Sequence, residues 1–371
     1  MRIVHISCSV ARSAGGPAEL LRGLVPVERE RGHEVVVVTT DQHARLDDDL
    51  VIDGAEMVVV PAVGPHWIGA GRGLRRAVRD AVQGADGVLI HGVYQFSSIW
   101  GMREARAAGV PYLVAPHGVW TDGHAPAHPL LSKVWDRVLL EPAMKGAHRY
   151  VGDSRVDAQH LHDRGLDPVA SIVLGVDPAL HAIDTPWERR TGVLFLGRVA
   201  RKKRLDLTIR AYARSGLAER GHRLVVAGPI EQGLPYDPRE LCASEGVTEH
   251  VDFVGVVNGA QRRELLTRMR VFMLPSDDES FGMAAAEAAS AGMAVVASHH
   301  VAAWIEAEQD GVARTWDQDP DVLARALREA AADDAGAAAA VMTDYVRASW
   351  TWQHAAEQVE EMLAAEPAPT P

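Results

Sequence analysis

The chain has 371 residues and a formal net charge of −12, longer than a single hydrophobic core usually serves, so two domains are expected. That acidic balance excludes sequence-independent binding to nucleic acid, which needs a basic footprint. No stretch approaches the roughly 18 apolar residues that span a bilayer. The two cysteines, Cys8 and Cys242, stand far apart in no metal-binding pattern and point to a reducing compartment. The opening Met1-Arg2-Ile3-Val4-His5-Ile6 turns polar too soon for a signal peptide and reads as a first strand. A cytoplasmic protein is the expectation.

In chain order, the first half carries strand candidates at Ile3–Ser7, Glu34–Thr40, Met57–Val60, Gly87–His91, Tyr112–Pro116, Tyr150–Gly152 and Ser171–Leu174. They are largely continuous apolar runs, as parallel strands buried on both faces require. Between the first two lies Ala18–Arg31, with Leu20, Leu21, Leu24 and Val27 at helical spacing and Pro26 expected to kink or shorten it. The second half repeats the plan, with strands at Val193–Leu196, Leu224–Ala227, Val251–Val254, Val271–Leu274 and Ala294–Ala297. Helices are expected over Leu205–Ala213, Arg262–Met269 and Ala284–Ala291. Repeated βαβ units give an α/β fold of two open parallel sheets with right-handed crossovers. The break falls near Pro178–Arg190, which sets an N-terminal domain over 1–180 and a C-terminal domain over 185–344. The tail, Thr343–Leu363, reads as one more helix seated by Trp350 and Trp352.

Ligands of open parallel sheets bind at the carboxyl ends of the strands, so the loops there are where chemistry is sought. Pro275-Ser276-Asp277-Asp278-Glu279-Ser280-Phe281-Gly282 leads from a strand into a helix containing Glu287. Eight helical residues rise about 12 Å, beyond the roughly 5–9.5 Å between the paired carboxylates of glycoside hydrolysis. That spacing suits the two ends of an extended ligand better than an acid and base on one bond. A second loop, Arg198-Val199-Ala200-Arg201-Lys202-Lys203-Arg204, gathers five cations at a strand end of an acidic protein and so calls for an anion. Ser13-Ala14-Gly15-Gly16-Pro17 follows the first strand, where its backbone can approach a phosphate or acceptor closely. It lacks the glycine spacing of a dinucleotide fingerprint, which ranks a dehydrogenase last.

Glu279 and Glu287 with Phe281-Gly282 between them resemble the E-x7-E signature of retaining GT-B glycosyltransferases of family 4. Arg198 and Lys203 match that family's G-R-x4-K element, with Arg204 where a glycine often stands. Arg31-Gly32-His33-Glu34-Val35, Gly175-Val176-Asp177, Ala227-Gly228-Pro229 and Phe253-Val254-Gly255 also fall in the family's order. The resemblance covers nearly the whole chain. It implies two Rossmann-like domains facing each other across a cleft, with the C-terminal helix, about 345–371, crossing back to an acceptor-binding N-terminal domain.

By the same resemblance His117, Arg198, Lys203 and Glu279 are the catalytic set, and Gly15, Gly16, Gly255, Ser280, Phe281, Gly282, Met283 and Glu287 bind the donor. Glu279 would meet donor-sugar hydroxyls, Glu287 the ribose hydroxyls, and Arg198 and Lys203 the diphosphate. The implied substrates are a UDP- or GDP-sugar and a small-molecule, glycan or lipid-linked acceptor, with no cofactor and no metal. Retention of configuration comes from the resemblance, not from any residue. An epimerase or phosphorylase of the same architecture, or an inactive sugar-nucleotide-binding protein, is the rival reading.

His124 and His128 follow His117 closely, but Pro126 between them argues against one helix presenting both to zinc. Arg72, Arg75, Arg76 and Arg79 form a basic stripe. It reads as a solvated face ahead of a surface for an anionic membrane or a phosphorylated acceptor. Acceptor choice is expected to lie in the loops His66–Gly71 and Trp120–Pro129, which carry no readable code.

Overall fold

The computed structural model describes residues 1–11, 15–42, 44, 50–65, 68–120 and 135–365. It divides into two compact units: Met1–Gly175 together with the segment from Trp352 onward, and Val176–Thr351.

The first unit contains, in order, β1 (Arg2–Ser9), α1 (Gly16–Glu30), β2 (Glu34–Thr40), β3 (Glu56–Val60), β4 (Ala62–Val63), β5 (Ala70–Gly71), α2 (Leu74–Val82), β6 (Gly87–His91), α3 (Phe96–Ala108) and β7 (Tyr112–Ala115). After these come β8 (Arg149–Gly152), α4 (Arg155–Asp163) and β9 (Val169–Ser171). Seven strands pair in the order β3-β2-β1-β6-β7-β8-β9, and every pairing is parallel. Strand order reverses between β1 and β6, which makes that junction the switch point of a doubly wound sheet. The valines and isoleucines read as continuous apolar runs are sealed between layers, Val4, Ile6, Val38, Val88 and Ile90 all being buried.

Helix α1 runs unbroken past Pro26. The proline removes one helical hydrogen bond and costs about 3 kcal/mol. Burial of Leu20, Leu21, Leu24, Val25 and Val27 against the sheet offsets this, at about 1.5–3 kcal/mol per large side chain. The final strand of this sheet is Val169–Ser171, earlier than the expected Ser171–Leu174. The antiparallel β4–β5 hairpin, two residues a side, carries too short a pattern to be read in advance.

The second unit contains β10 (Val193–Leu196), α5 (Leu205–Ser215), β11 (Leu224–Ala227), α6 (Pro238–Ser244), β12 (Val251–Gly255), α7 (Gly259–Arg268), β13 (Val271–Leu274) and α8 (Met283–Ser290). It continues with β14 (Ala294–Ser298), α9 (Ala302–Gln309), β15 (Thr315–Trp316), α10 (Pro320–Ala330) and α11 (Gly336–Ser349). Its six parallel strands lie in the order β12-β11-β10-β13-β14-β15. That is a 3-2-1-4-5-6 sheet, with its switch point between β10 and β13. Phe195, Leu224, Val271, Ile209, Tyr212, Leu323 and Leu327 form its core.

The tail is two helices, not the single one expected. The chain leaves helical geometry at Trp350, and α12 (Trp352–Ala364) begins two residues later. Each tryptophan is buried, in a different unit. Trp350 packs on Phe281, Trp304 and Tyr345, with ring centroids 5.0, 5.5 and 5.7 Å away. Trp352 fills the space where side chains on Gly23 and Gly175 would stand. Glu360 of α12 accepts from Arg31 Nη2 at 2.9 Å and lies 2.6 Å from His33 Nε2. Bonding to Arg31 lowers the Glu360 carboxyl to about 2. Tertiary burial sets this helix break, and helical periodicity cannot show it.

Candidate active site

In the second unit the loops after β10 and β13 flank the switch point, and they hold most of the residues picked from the sequence. Lys203, from the turn after β10, forms an ion pair with Glu279 from the loop after β13. The loops are tied further by Asp277 N–H donating to the Lys202 carbonyl at 2.8 Å. Lys202 Nζ lies 3.8 Å from Asp278, and Arg204 Nη1 donates to Asp277 Oδ1 at 2.9 Å.

The loop after β13 is anchored from behind. Ser298 Oγ donates to the Ser276 carbonyl at 2.6 Å, and Gln318 Nε2 donates to Pro275 O at 2.8 Å and to Ser276 O at 3.0 Å. Glu279 itself is fixed at the backbone, its N–H donating to His300 O at 2.9 Å and its carbonyl accepting from Ala302 N–H at 3.0 Å. These bonds fix the backbone from which the Glu279 side chain extends.

Ser280 follows in the same loop, and Gly282, at φ 100°, turns the chain into α8, which starts at Met283. A Cβ at position 282 would come within 2.8 Å of Val301 Cγ1, so both space and backbone demand glycine here. The first-turn amides of α8 have no intrahelical acceptor and carry the positive end of the helix dipole. Phe281 turns inward, 3% exposed and packed on Trp350. Its side chain therefore braces the loop, and only its backbone stays at the site.

Glu287, 8% exposed in α8, forms an ion pair with Arg262 of α7. Arg262 was not singled out from the sequence, because an arginine inside an amphipathic helix gives no local signal of its partner. Arg198 pairs with Glu231 at 3.1 Å. At the neighbouring strand ends Gly197, Gly228 and Gly255 have φ values of 146°, 141° and 70°. Gly197 N–H donates to Ala227 O, and Gly228 N–H donates to Gly255 O at 2.7 Å. Three adjacent strands thus end on a shelf without side chains.

Arg204 occupies left-handed backbone space at φ 51°. This gives a physical reason for a glycine at the corresponding place in related loops. Hydrogen bonding to Asp206 and Asp277 holds its guanidinium and raises its pKa.

In the first unit Gly15, at φ 87°, precedes α1, and its carbonyl accepts from Ala18 N–H at 3.1 Å. Among the described residues, neither Gly15 nor Gly16 has an atom within 4 Å of where a Cβ would stand. Ser13, Ala14, His66, Trp67 and residues 121–134, with His124 and His128, lie outside the described residues. His117 also has left-handed geometry, φ 57°. Its two ring nitrogens are both engaged within the unit, Nδ1 with Asp153 Oδ1 at 2.8 Å and Nε2 with His91 Nδ1 at 3.0 Å. Burial disfavours its charged form, but the Asp153 carboxylate outweighs this and raises its pKa.

Among the described residues, three of the four arginines in the stripe are paired, Arg76 Nε lying 3.5 Å from Asp80. Arg75 and Arg79 of α2 donate to Glu104 of α3 at 2.7 and 2.8 Å, which lowers the Glu104 pKa. Among the described residues no group of three or more His, Cys, Asp or Glu side chains is placed to hold a metal ion, and no helix is long and apolar enough to cross a membrane. Burial raises both thiols, Cys8 and Cys242, to about 11.

Comparison with known proteins identifies the family. Residues 181–348 match the family described as glycosyl transferases group 1, and residues 15–176 match the glycosyl transferase 4-like domain. The chain belongs to the glycosyl transferases of group 1, with a family 4-like first half, and is a GT-B glycosyltransferase. It is 25% identical over 358 residues to the GDP-mannose:cellobiosyl-diphosphopolyprenol alpha-mannosyltransferase of Komagataeibacter xylinus, covering 94% of this chain and 87% of that one. It is 37% identical over 214 residues to the D-inositol 3-phosphate glycosyltransferase of Salinispora arenicola, covering 50% of this chain and 48% of the relative. In fold it is similar to HepE of Anabaena, solved in complex with UDP and glucose, with a TM-score of 0.76 at 17% identity over 99% of this chain and 100% of the other.

Proposed function

We propose that the second unit binds a nucleotide-sugar donor and that the enzyme transfers the sugar to an acceptor hydroxyl with retention of configuration and without a metal. The observation that carries this reading is the convergence of Arg198, Lys203, Glu279 and the start of α8 on one sheet switch point. Cations and helix-terminal amides suit a diphosphate, and a backbone-anchored carboxylate suits sugar hydroxyls.

In the structure the carboxylates are partnered by cations, Glu279 by Lys203 and Glu287 by Arg262. Donor binding would exchange these contacts, diphosphate taking Lys203 and hydroxyls taking Glu279 and Glu287. As the glycosidic bond breaks, charge grows on the leaving diphosphate, where Arg198 and Lys203 would stabilise it. No protein nucleophile is needed if the acceptor hydroxyl approaches on the face the diphosphate leaves. His117, with both ring nitrogens engaged, would meet a sugar through its backbone.

Among donors we favour a GDP-hexose, GDP-mannose first. The relative that spans nearly the whole chain is named for that donor and for a diphosphopolyprenol-linked acceptor. A UDP-sugar is the next choice. We place the reaction in the cytoplasm and assign no cofactor.

The test is incubation with GDP-mannose, GDP-glucose and UDP-glucose in EDTA, with glycosylated diphosphopolyprenol and inositol phosphate as acceptors, followed by product mass and anomer NMR. Transfer from one donor with the anomeric configuration kept is the expected result. An inverted product, or turnover that needs a divalent cation, would overturn the corresponding part of the proposal.

A further inference from the structure

A hydrogen-bonded chain crosses four adjacent strand positions of the first unit. Glu28 Oε2 of α1 lies 2.9 Å from His5 Nε2, and His5 Nδ1 lies 3.0 Å from His91 Nε2. His91 Nδ1 lies 3.0 Å from His117 Nε2, and His117 Nδ1 lies 2.8 Å from Asp153 Oδ1. His5 is in β1, His91 ends β6, His117 follows β7 and Asp153 follows β8, the order in which those strands pair. The neighbouring rings are nearly coplanar, at 16° and 2°, as hydrogen bonds in the ring plane require. Glu28, His5, His91 and Asp153 are all buried.

The chain has four hydrogen bonds and an acceptor at each end. Each bond needs one proton. Three neutral imidazoles supply one N–H each, so with both carboxylates ionised one bond would set two lone pairs against each other. One additional proton completes the set. It can reside on any of the three rings or on either terminal carboxyl, because moving it along the chain only reverses the hydrogen bonds it crosses.

We propose that Glu28, His5, His91, His117 and Asp153 together store one proton more than two carboxylates and three neutral imidazoles hold, that this proton sits on a ring and not on a carboxyl, and that it locks the turn carrying His117. The ring beside Asp153 is its natural seat. Among the described residues, the charged or titratable groups facing the rings are Glu28 from α1 and Asp153 and Asp157 after β8, whereas α1 and α12 present Leu20, Leu24, Val359 and Met362. Burial, with the neighbouring rings, holds His91 well below the usual imidazole range, so it serves as a neutral relay. The lock matters because left-handed geometry is costly for a residue with a Cβ, and a charged hydrogen bond to Asp153 holds His117 in it. Glu28, His5, His91 and Asp153 are thus positioning residues that act through His117.

The proton count is read by 1H–15N NMR of histidine-labelled protein at about pH 8, with sites assigned by His5→Gln and His91→Gln. The comparison is the double variant Glu28→Gln/Asp153→Asn, whose amides close the chain with three neutral rings. The wild type is expected to show one ring protonated at both nitrogens and two protonated once, and the double variant three protonated once. Three singly protonated rings in the wild type would overturn the proposal even if the double variant failed to fold.

The consequence for catalysis rests on the transfer reaction proposed above, and is read from the alkaline limb of its kcat/KM profile. Glu28→Gln should move that limb at least tenfold in proton concentration toward lower pH. An unmoved limb would refute the lock while leaving the transfer reaction standing.

Discussion

In the first unit Glu28 of α1, His5 within β1 and His91, His117 and Asp153 at or just past strand ends are joined in one line, all but His117 buried, each imidazole bonded to the next and a carboxylate at either end. In the second unit the loops after the strands carry separate, only partly buried pairs, with side-chain exposures of 23% and 12% for Lys203 and Glu279. The two arrangements follow different physics. Buried polar groups are costly to leave unpaired, so breaking any bond of the line in the first unit is expensive. A pair that keeps some contact with solvent is less costly to separate than a sealed one, so its members can leave one another for a ligand. Similar sheets thus carry a fixed network in one unit and an exchangeable one in the other.

The largest expected effect comes from breaking the line. His91→Leu removes the middle ring and leaves His5 and His117 each short of a partner in a buried site. It should destabilise the protein by about 2–5 kcal/mol, measured by chemical denaturation; a loss under 1 kcal/mol would show the line to be dispensable. Lys203→Ala should do the reverse. Turnover should fall on the order of 10²- to 10³-fold as the leaving-group charge loses its partner, while stability falls by less than in His91→Leu, because Lys203 and Glu279 keep some contact with solvent. A parallel loss of both would erase the contrast between the units.

Dependence on pH sharpens it further. His117 has a raised pKa, so its contribution to stability is full below the ordinary imidazole value near 6.5 and is lost as pH rises through the raised value. His91 is held neutral, so its contribution is present above that ordinary value and is lost as pH falls through it. Thermal stability should therefore peak near neutrality, and Asp153→Asn should flatten the alkaline side. A wild type whose stability rose steadily to pH 9 would contradict this.

The smallest effect is at Arg204. Arg204→Gly relieves its left-handed backbone, so it should be more stable than Arg204→Ala by about 1 kcal/mol, the cost of that geometry for a side chain. Equal stabilities would show that the backbone shifts to accommodate alanine.

The strands were legible because parallel strands buried on both faces leave continuous apolar runs. Glu34–Thr40, Gly87–His91, Val193–Leu196, Leu224–Ala227 and Val271–Leu274 have the same bounds in sequence and structure. The break at Trp350 was not legible, since it depends on two tryptophans finding cavities in different units. The paired loops of the second unit could be picked out because cations and carboxylates cluster at short spacing after strands. Arg262 reaches Glu287 from another helix and leaves no such trace. The histidine line was hidden for a related reason. His5, His91 and His117 are separated by most of a domain in sequence, and only the strand order β1-β6-β7 brings them side by side.

The claim that the second unit holds a nucleotide-sugar is tested most directly by calorimetric titration of GDP and UDP, without metal, into the wild type and Glu287→Ala. If Glu287 accepts ribose hydroxyls, each charged hydrogen bond contributes roughly 1.5–3 kcal/mol, so the variant should bind about 10- to 100-fold more weakly. Binding of one nucleotide by the wild type with that loss in the variant is the predicted result. No binding of either nucleotide, or equal affinity in both proteins, would contradict the assignment.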